Sequence, residues 1–128
     1  MPEKPEMHLY EYAVVRYMPR VEREEFVNVG LVMMCKRRRW IRVRMHLDEH
    51  KVRALTPGTD LTEVSAQLES FSRVAEGNHP RIAPLETHER FRWLTAVRSA
   101  CITTSRPHPG LTPDLDATFN RLFTELVE

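Results

Sequence analysis

Six cations fall within nine residues of this chain: Lys36, Arg37, Arg38, Arg39, Arg42 and Arg44, with Trp40 among them. Such a cluster can neutralise phosphates while the indole stacks on a base, which makes it a candidate nucleic-acid surface. The plainer reading is a solvated strand face whose arginines pair with Glu22, Glu24, Glu25 or Asp48. A second group consists of single polar residues in apolar settings. Arg16 ends a run of Tyr, Val and Ala, Asn28 precedes an apolar stretch, Arg92 lies between Phe91 and Trp93, and Arg98 and Ser99 follow Val97. Burying a charge costs several kcal/mol unless it is paired, so each arginine needs a partner. One solution is an internal network, with Arg16 or Arg98 on Glu22 or Glu25. The other is convergence of Arg16, Arg92 and Arg98 on an anion, with Glu22, Asn28 and His108 nearby, because the planar guanidinium fork matches phosphate and carboxylate.

Two further patterns carry less. His46-Leu-Asp-Glu49-His50 has the H-x-x-E-H spacing of inverted zinc proteases. That chemistry requires both histidines on one helical face, whereas Asp48 reads as a helix cap that places His46 on the preceding strand. A nucleophile and base could be assembled from Cys101 or Ser99 with His108, but Cys101 sits in an apolar run where a thiol is packing. The sequence contains no Gly-x-Ser-x-Gly elbow, P-loop or dinucleotide fingerprint. No cofactor and no metal are therefore expected, and the chain reads as non-enzymatic.

The elements that must position these residues follow from periodicity. At 128 residues the chain has the length of one domain. With 41% hydrophobic and 29% charged residues it has the composition of a globular fold, which excludes wholesale disorder. A net charge of +1 favours neither nucleic acid nor membrane, so any basic surface is local. Cys35 and Cys101 read as buried thiols in a reducing compartment, and no apolar stretch reaches membrane-spanning length, which together suggest the cytoplasm. Residues 1–7 read as a loose, flexible polar tail and residues 8–128 as a single domain.

His8 to Met18 is rich in aromatic and branched residues and predicts a strand ended by Pro19. Arg20 to Phe26 predicts a short charged helix or turn. Val29 to Cys35 is almost wholly apolar, the mark of a strand buried on both faces. In the run from Trp40 to Leu47, Ile41, Val43, Met45 and Leu47 share one face and Trp40, Arg42, Arg44 and His46 the other. The short link predicts a hairpin with the preceding strand. Helices are predicted from Asp48 to Pro57, from the Asp60 cap to Gly77, and from Thr87 as cap through Phe91, Trp93, Leu94 and Val97. Residues 78–86 and Pro107 to Gly110 read as loops, and Ser99 to Ser105 as a short strand. Pro113 opens a last helix whose apolar face is Leu115, Phe119, Leu122, Phe123 and Leu126. The sum is an α+β fold of about four mainly antiparallel strands with helices packed on one face.

Tyr10-Glu-Tyr-Ala-Val-Val-Arg16, then Pro19-Arg-Val-Glu-Arg-Glu-Glu-Phe-Val-Asn28-Val-Gly30, resembles the bacterial family known as domain of unknown function 3037. A second block agrees: Arg90-Phe-Arg-Trp-Leu-Thr-Ala-Val-Arg98-Ser99, Pro107-His108-Pro109-Gly110-Leu111 and the closing amphipathic helix. Members of that family are often encoded beside a kinase resembling the toxin HipA. The resemblance thus implies an accessory or regulatory protein in a toxin–antitoxin-like setting, with a protein partner such as a HipA-like kinase. Nucleic-acid binding through Lys36–Arg44 is the alternative, and a small enzyme acting on a phosphorylated substrate the third reading.

Overall fold

A computed structural model of the chain describes residues 5–79, 85–96 and 101–128. Its elements are β1 (His8–Tyr17), a single 3-10 turn (Val21–Arg23), β2 (Val27–Cys35), β3 (Trp40–Met45), α1 (Glu49–Leu55), α2 (Leu61–Glu76), α3 (Thr87–Thr95), β4 (Ile102–Thr104), β5 (His108–Thr112) and α4 (Leu115–Leu126). The sheet is antiparallel in the order β3-β2-β1-β4, and β5 pairs with the first half of β1 on the same side as β4. The fold is α+β, as the periodicities imply.

β1 and β2 form the centre because they alternate apolar residues onto both faces. On one face Ala13, Val15, Tyr17, Val32 and Met34 pack against Val52 of α1, Val64 and Leu68 of α2, and Phe91 and Leu94 of α3. On the other, Tyr10, Val14, Leu31, Met33 and Cys35 pack against Leu115, Phe119, Leu122 and Phe123 of α4. The helices therefore occupy both faces rather than one. A second apolar face on β2 cannot remain in water, and burying each large side chain is worth about 1.5–3 kcal/mol. α4 supplies the cover.

The sheet has five strands rather than four, because Pro107 to Gly110 is not a loop. His108 to Thr112 pairs residue by residue with Tyr12 to His8. Pro109 is tolerated because β5 is an edge strand, where a missing N–H need not break a ladder. Gly110 lies opposite Tyr10, and a Cβ there would overlap the Tyr10 ring and hydroxyl, so the glycine makes room for the tyrosine.

Helix starts follow local hydrogen bonding. Asp60 accepts from Thr62 N at 3.0 Å and Glu63 N at 3.4 Å, and Gly77 closes α2 at φ +78°. α3 is capped by Glu86, one residue before the expected Thr87, with the Glu89 carboxylate accepting from Glu86 N at 3.3 Å. α4 begins after Asp114, whose carboxylate accepts from Ala117 N at 3.1 Å, so Pro113 precedes the cap instead of opening the helix. Asp48 caps α1 through Lys51 N, and that bond is the first cause holding its carboxyl below the ordinary range. Its contribution is full above that range and is lost as the pH falls below it through the lowered folded-state pKa.

A β-bulge interrupts the β1–β2 pairing. Val15 faces Gly30 and Arg16 faces Asn28, which leaves Val29 as the extra residue. Gly30 is required there, since a Cβ would meet the Met45 sulfur and approach the Arg44 carbonyl oxygen to 2.9 Å. Gly30→Ala is therefore expected to cost about 1–3 kcal/mol by overpacking the sheet. Gly58→Ala, with nothing within 4 Å of its Cβ, is expected to be neutral within about 0.5 kcal/mol. Paired urea denaturation curves check both, and equal midpoints for the two variants would contradict this account of the bulge.

Candidate functional site

The arginines of the hairpin divide into two groups by parity. Lys36, Arg37, Arg38 and Arg39 lie in the exposed turn between β2 and β3, with Arg39 at φ +50°. Trp40, Arg42 and Arg44 point onto the face that α4 covers. Trp40 is half-buried and meets Phe119 edge-on at 6.5 Å, so its indole belongs to the core packing. Arg42 donates to Asp116 at 3.1 Å and lies 4.8 Å from the Phe119 ring centre, while Arg44 lies over Phe119 at 5.5 Å and Phe123 at 5.1 Å. These two guanidiniums flank α4 and shield its aromatic residues from water. The expected partners Glu22, Glu24, Glu25 and Asp48 are not used by Arg42 or Arg44. Glu25 instead pairs with Arg23, and Glu22 lies in the exposed 3-10 turn.

Arg16 and Asn28 are brought together, opposite each other at the bulge and on the α4 face. Asn28 Nδ2 donates to the Leu126 carbonyl at 2.9 Å and so holds the C-terminal end of α4. Its Oδ1 is buried and unpaired, and so is Arg16 Nε. The Arg16 guanidinium stacks on Phe26 at 4.1 Å, and burial lowers its pKa below the ordinary arginine value. No carboxylate among the described residues bonds to it.

Arg92 is on the other side of the sheet. It grips Glu11 of β1 with both terminal nitrogens, Nη1 to Oε1 at 3.0 Å and Nη2 to Oε2. Arg16 and Arg92 thus sit on opposite faces and do not converge. His108 is exposed in β5, its ring 5.2 Å from Tyr12. That places it four residues along β1 from Arg16, about 13 Å away. Arg98 and Ser99 lie outside the described residues, as do Val97, Pro80 and Pro84.

Of the cysteines, Cys35 is buried as expected, but Cys101 is exposed. It directly precedes β4, and its carbonyl accepts from Met18 N at 2.6 Å, so the backbone rather than the thiol joins the sheet. His46 follows β3 and His50 lies in α1, so the H-x-x-E-H residues span a strand end and a helix start. Among the described residues the groups that converge with metal-ligand spacing are Glu86, His88 and Glu89, whose ligand atoms lie within 4.8 Å of one another. Glu86 and His88 border a depression of about 340 Å³ lined also by Lys36, Arg39, Thr87 and Arg90. Each guanidinium nitrogen of Arg90 already donates within the fold, to Ala75 O, Leu85 O and Thr87 Oγ1. With Lys36 and Arg39 beside the depression, Glu86 and Glu89 suit their capping role at α3 better than the binding of a metal cation.

Sequence reasoning did not find the outer face of the β1–β5 ribbon. Leu9 and Leu111 are directly paired and 64% and 62% exposed, with Met7 half-exposed two residues before. Reading Pro107 to Gly110 as a loop concealed it, although Leu111 alternates with the inward Gly110 and Thr112 as a strand residue should. Among the described residues no helix is long and apolar enough to cross a membrane.

A family model described as protein of unknown function, DUF3037, matches residues 12–127. The chain belongs to that family. No curated protein and no solved structure matches it. The match spans the bulge, the α4 face and the hairpin together, so Arg16, Asn28, Arg42 and Arg44 all fall within the family's domain.

Asn28→Ala removes the donor from Leu126 O and is expected to destabilise the protein by about 1 kcal/mol. The effect should concentrate at the end of α4. Hydrogen exchange at Val127 N and Glu128 N, both bonded to Phe123 O, should accelerate, while exchange in α2 stays unchanged. Uniform acceleration throughout the domain would show that Asn28 does not act on α4 locally.

Proposed function

We propose that this protein is a non-enzymatic accessory protein that binds a protein partner through the outer face of the β1–β5 ribbon. The observation that supports this reading is the directly opposed pair Leu9 and Leu111, each more than three-fifths exposed on an edge of the sheet. Cross-strand apolar pairs normally face a core, and an exposed apolar face beside unpaired strand hydrogen-bonding groups suits a protein contact. The polar residues do not compose a catalytic set: Arg92 is held by Glu11, Arg42 by Asp116, and Arg16 faces away from both Arg92 and Glu11. The partner that the resemblance implies, a HipA-like kinase in a bacterial cytoplasm, is the first one to test.

Nucleic-acid binding remains the second reading, carried by the exposed turn Lys36–Arg39. With Trp40, Arg42 and Arg44 engaged on α4, only these four cations are available. Salt dependence would then have a log–log slope of roughly −3 to −4. Charge reversal at Lys36, Arg37, Arg38 and Arg39 is the informative variant, because reversing Arg42 or Arg44 would disturb α4 as well.

The deciding experiment compares tagged wild type with a Leu9→Asp/Leu111→Asp variant in capture from host lysate, with and without nuclease and at two salt concentrations. Both side chains are exposed, so the variant should keep its circular dichroism spectrum and melting temperature. One captured protein, identified by mass spectrometry, indifferent to nuclease and lost with the variant, is the expected result. Equal capture by both forms would remove the ribbon from the proposal. Loss on nuclease or raised salt would move the function to Lys36–Arg39. A wild-type dimer by light scattering that the variant abolishes would make the face a self-contact.

A further inference from the structure

β3 ends the sheet beyond β2, and no described strand pairs with its outer edge. His46 N donates to Val29 O at 2.7 Å, in the same register that sets Arg44 opposite Leu31 and Arg42 opposite Met33. Antiparallel bonding alternates, so Trp40, Arg42 and Arg44 turn their N–H and C=O groups toward β2. Ile41, Val43 and Met45 turn theirs outward, along a strand without proline. No described residue bonds to these outward groups. A depression of about 190 Å³ lies against Ile41, Arg42 and Val43, with Ala75 and Glu76 of α2 as its other wall. The backbone edge is therefore open to an approaching chain, and it offers a donor and an acceptor at every second residue.

Such an edge pairs with another strand unless side chains forbid it. Arg42 and Arg44 lie on the α4 face, and Ile41, Val43 and Met45 on the other. If two copies paired antiparallel about Val43, Arg42 would stand opposite the second copy's Arg44. Like charges directly opposite are destabilising, so the edge rejects a second copy. An acidic strand meets the reverse. Its carboxylates fall beside Arg44, which no described acid holds, and beside Arg42, which is 33% exposed and bonds Asp116 through Nη1.

We propose that the open edge of β3 binds an extended acidic segment of another protein as an added strand, with acidic and apolar residues alternating along it. The outward groups of Ile41, Val43 and Met45 supply affinity for an extended chain, and the side chains supply the choice among chains. Residues of an added strand alternate as those of β3 do. Carboxylates at every second position therefore lie beside Arg42 and Arg44, while the intervening residues extend the apolar face of Ile41, Val43 and Met45. The exposed Lys36–Arg39 turn at one end of β3 draws a negative segment toward the edge. Nucleic acid gains from the same cations, but its phosphates cannot donate to the alternating carbonyls. β1 and β2 separate this edge from β5, so binding here is independent of the ribbon contact.

The test titrates the full chain into fluorescein-labelled, blocked peptides, with hydrogen exchange by nuclear magnetic resonance on the complex. The probes are an alternating valine–glutamate peptide, its valine–glutamine counterpart, the glutamate peptide N-methylated at every residue, and an oligothymidylate of similar length. The glutamate peptide should bind saturably and slow exchange at Ile41, Val43 and Met45 N–H at least about tenfold. Trp40, Arg42 and Arg44 should change little, because their N–H groups already bond β2. The glutamine peptide should bind about tenfold more weakly, and the N-methylated peptide not at all. Val43→Pro deletes an outward donor that β2 does not use, so it should abolish binding and keep the circular dichroism spectrum. If that variant unfolds, the N-methylated peptide removes the same hydrogen bonds with the wild-type protein intact. Leu9→Asp/Leu111→Asp should bind the glutamate peptide as wild type does. Absence of saturable binding to wild type would overturn the proposal. So would slowed exchange without the alternation, or glutamine peptide, N-methylated peptide or oligothymidylate binding as tightly as the glutamate peptide.

Discussion

A strand that is apolar on both sides imposes a demand that no single layer of helices can meet. β2 is that strand: Val32 and Met34 face one way, Leu31, Met33 and Cys35 the other, and all are buried. Its two hydrophobic faces require α1, α2 and α3 on one side and α4 on the other. The position of every polar residue discussed above follows from that division. Arginines on β3 end up beside α4 because they occupy the parity opposite Ile41, Val43 and Met45. Arg16 ends up at the rim of the α4 layer because the bulge places it opposite Asn28.

The α4 layer is thin, a single helix over a five-stranded sheet, and cations complete it. Arg42 and Arg44 lie over Phe119 and Phe123, and Asn28 holds the helix at Leu126. The basic hairpin sits in a near-neutral chain because 18 acidic residues elsewhere balance the 19 Lys and Arg, and two of its own cations serve the packing of α4. Exposed ion pairs contribute little on their own, typically up to about 1 kcal/mol. The value of Arg42 and Arg44 lies in covering aromatic surface with their aliphatic stems and planar heads. Arg16 and Arg44 each lie over a ring with no acid bonded to them among the described residues, and Arg16 differs in having a buried guanidinium nitrogen without a hydrogen-bond partner.

Much of the framework was legible in residue order. The alternation in Trp40 to Leu47, the double-faced apolar run of β2, the Asp60 and Gly77 caps and the apolar stripe of α4 all read correctly, because they depend on neighbours one to four residues away. β5 was hidden because Pro109 and Gly110 are turn formers locally, and only pairing with β1 makes them a strand. The start of α3 at Glu86 rather than Thr87 reflects competition between adjacent cap candidates that differ by a fraction of a kcal/mol. Cys101 looked buried because its neighbours are apolar, yet burial is decided by what packs over a residue.

The sequence by itself determined the elements other than β5, their amphipathic faces, the family and the absence of a recognised catalytic motif. These are local properties, written in periodicity and in residues that cap, break or branch. Tertiary structure alone decided that Arg16 and Arg92 lie on opposite faces, that Arg42 finds Asp116, that Asn28 reaches Leu126, and that Leu9 meets Leu111 in the open. Each of those pairs is separated by more than seventy residues. Their meeting depends on strand order and on which side of the sheet each helix crosses, and those are set by how the whole chain buries its two apolar faces.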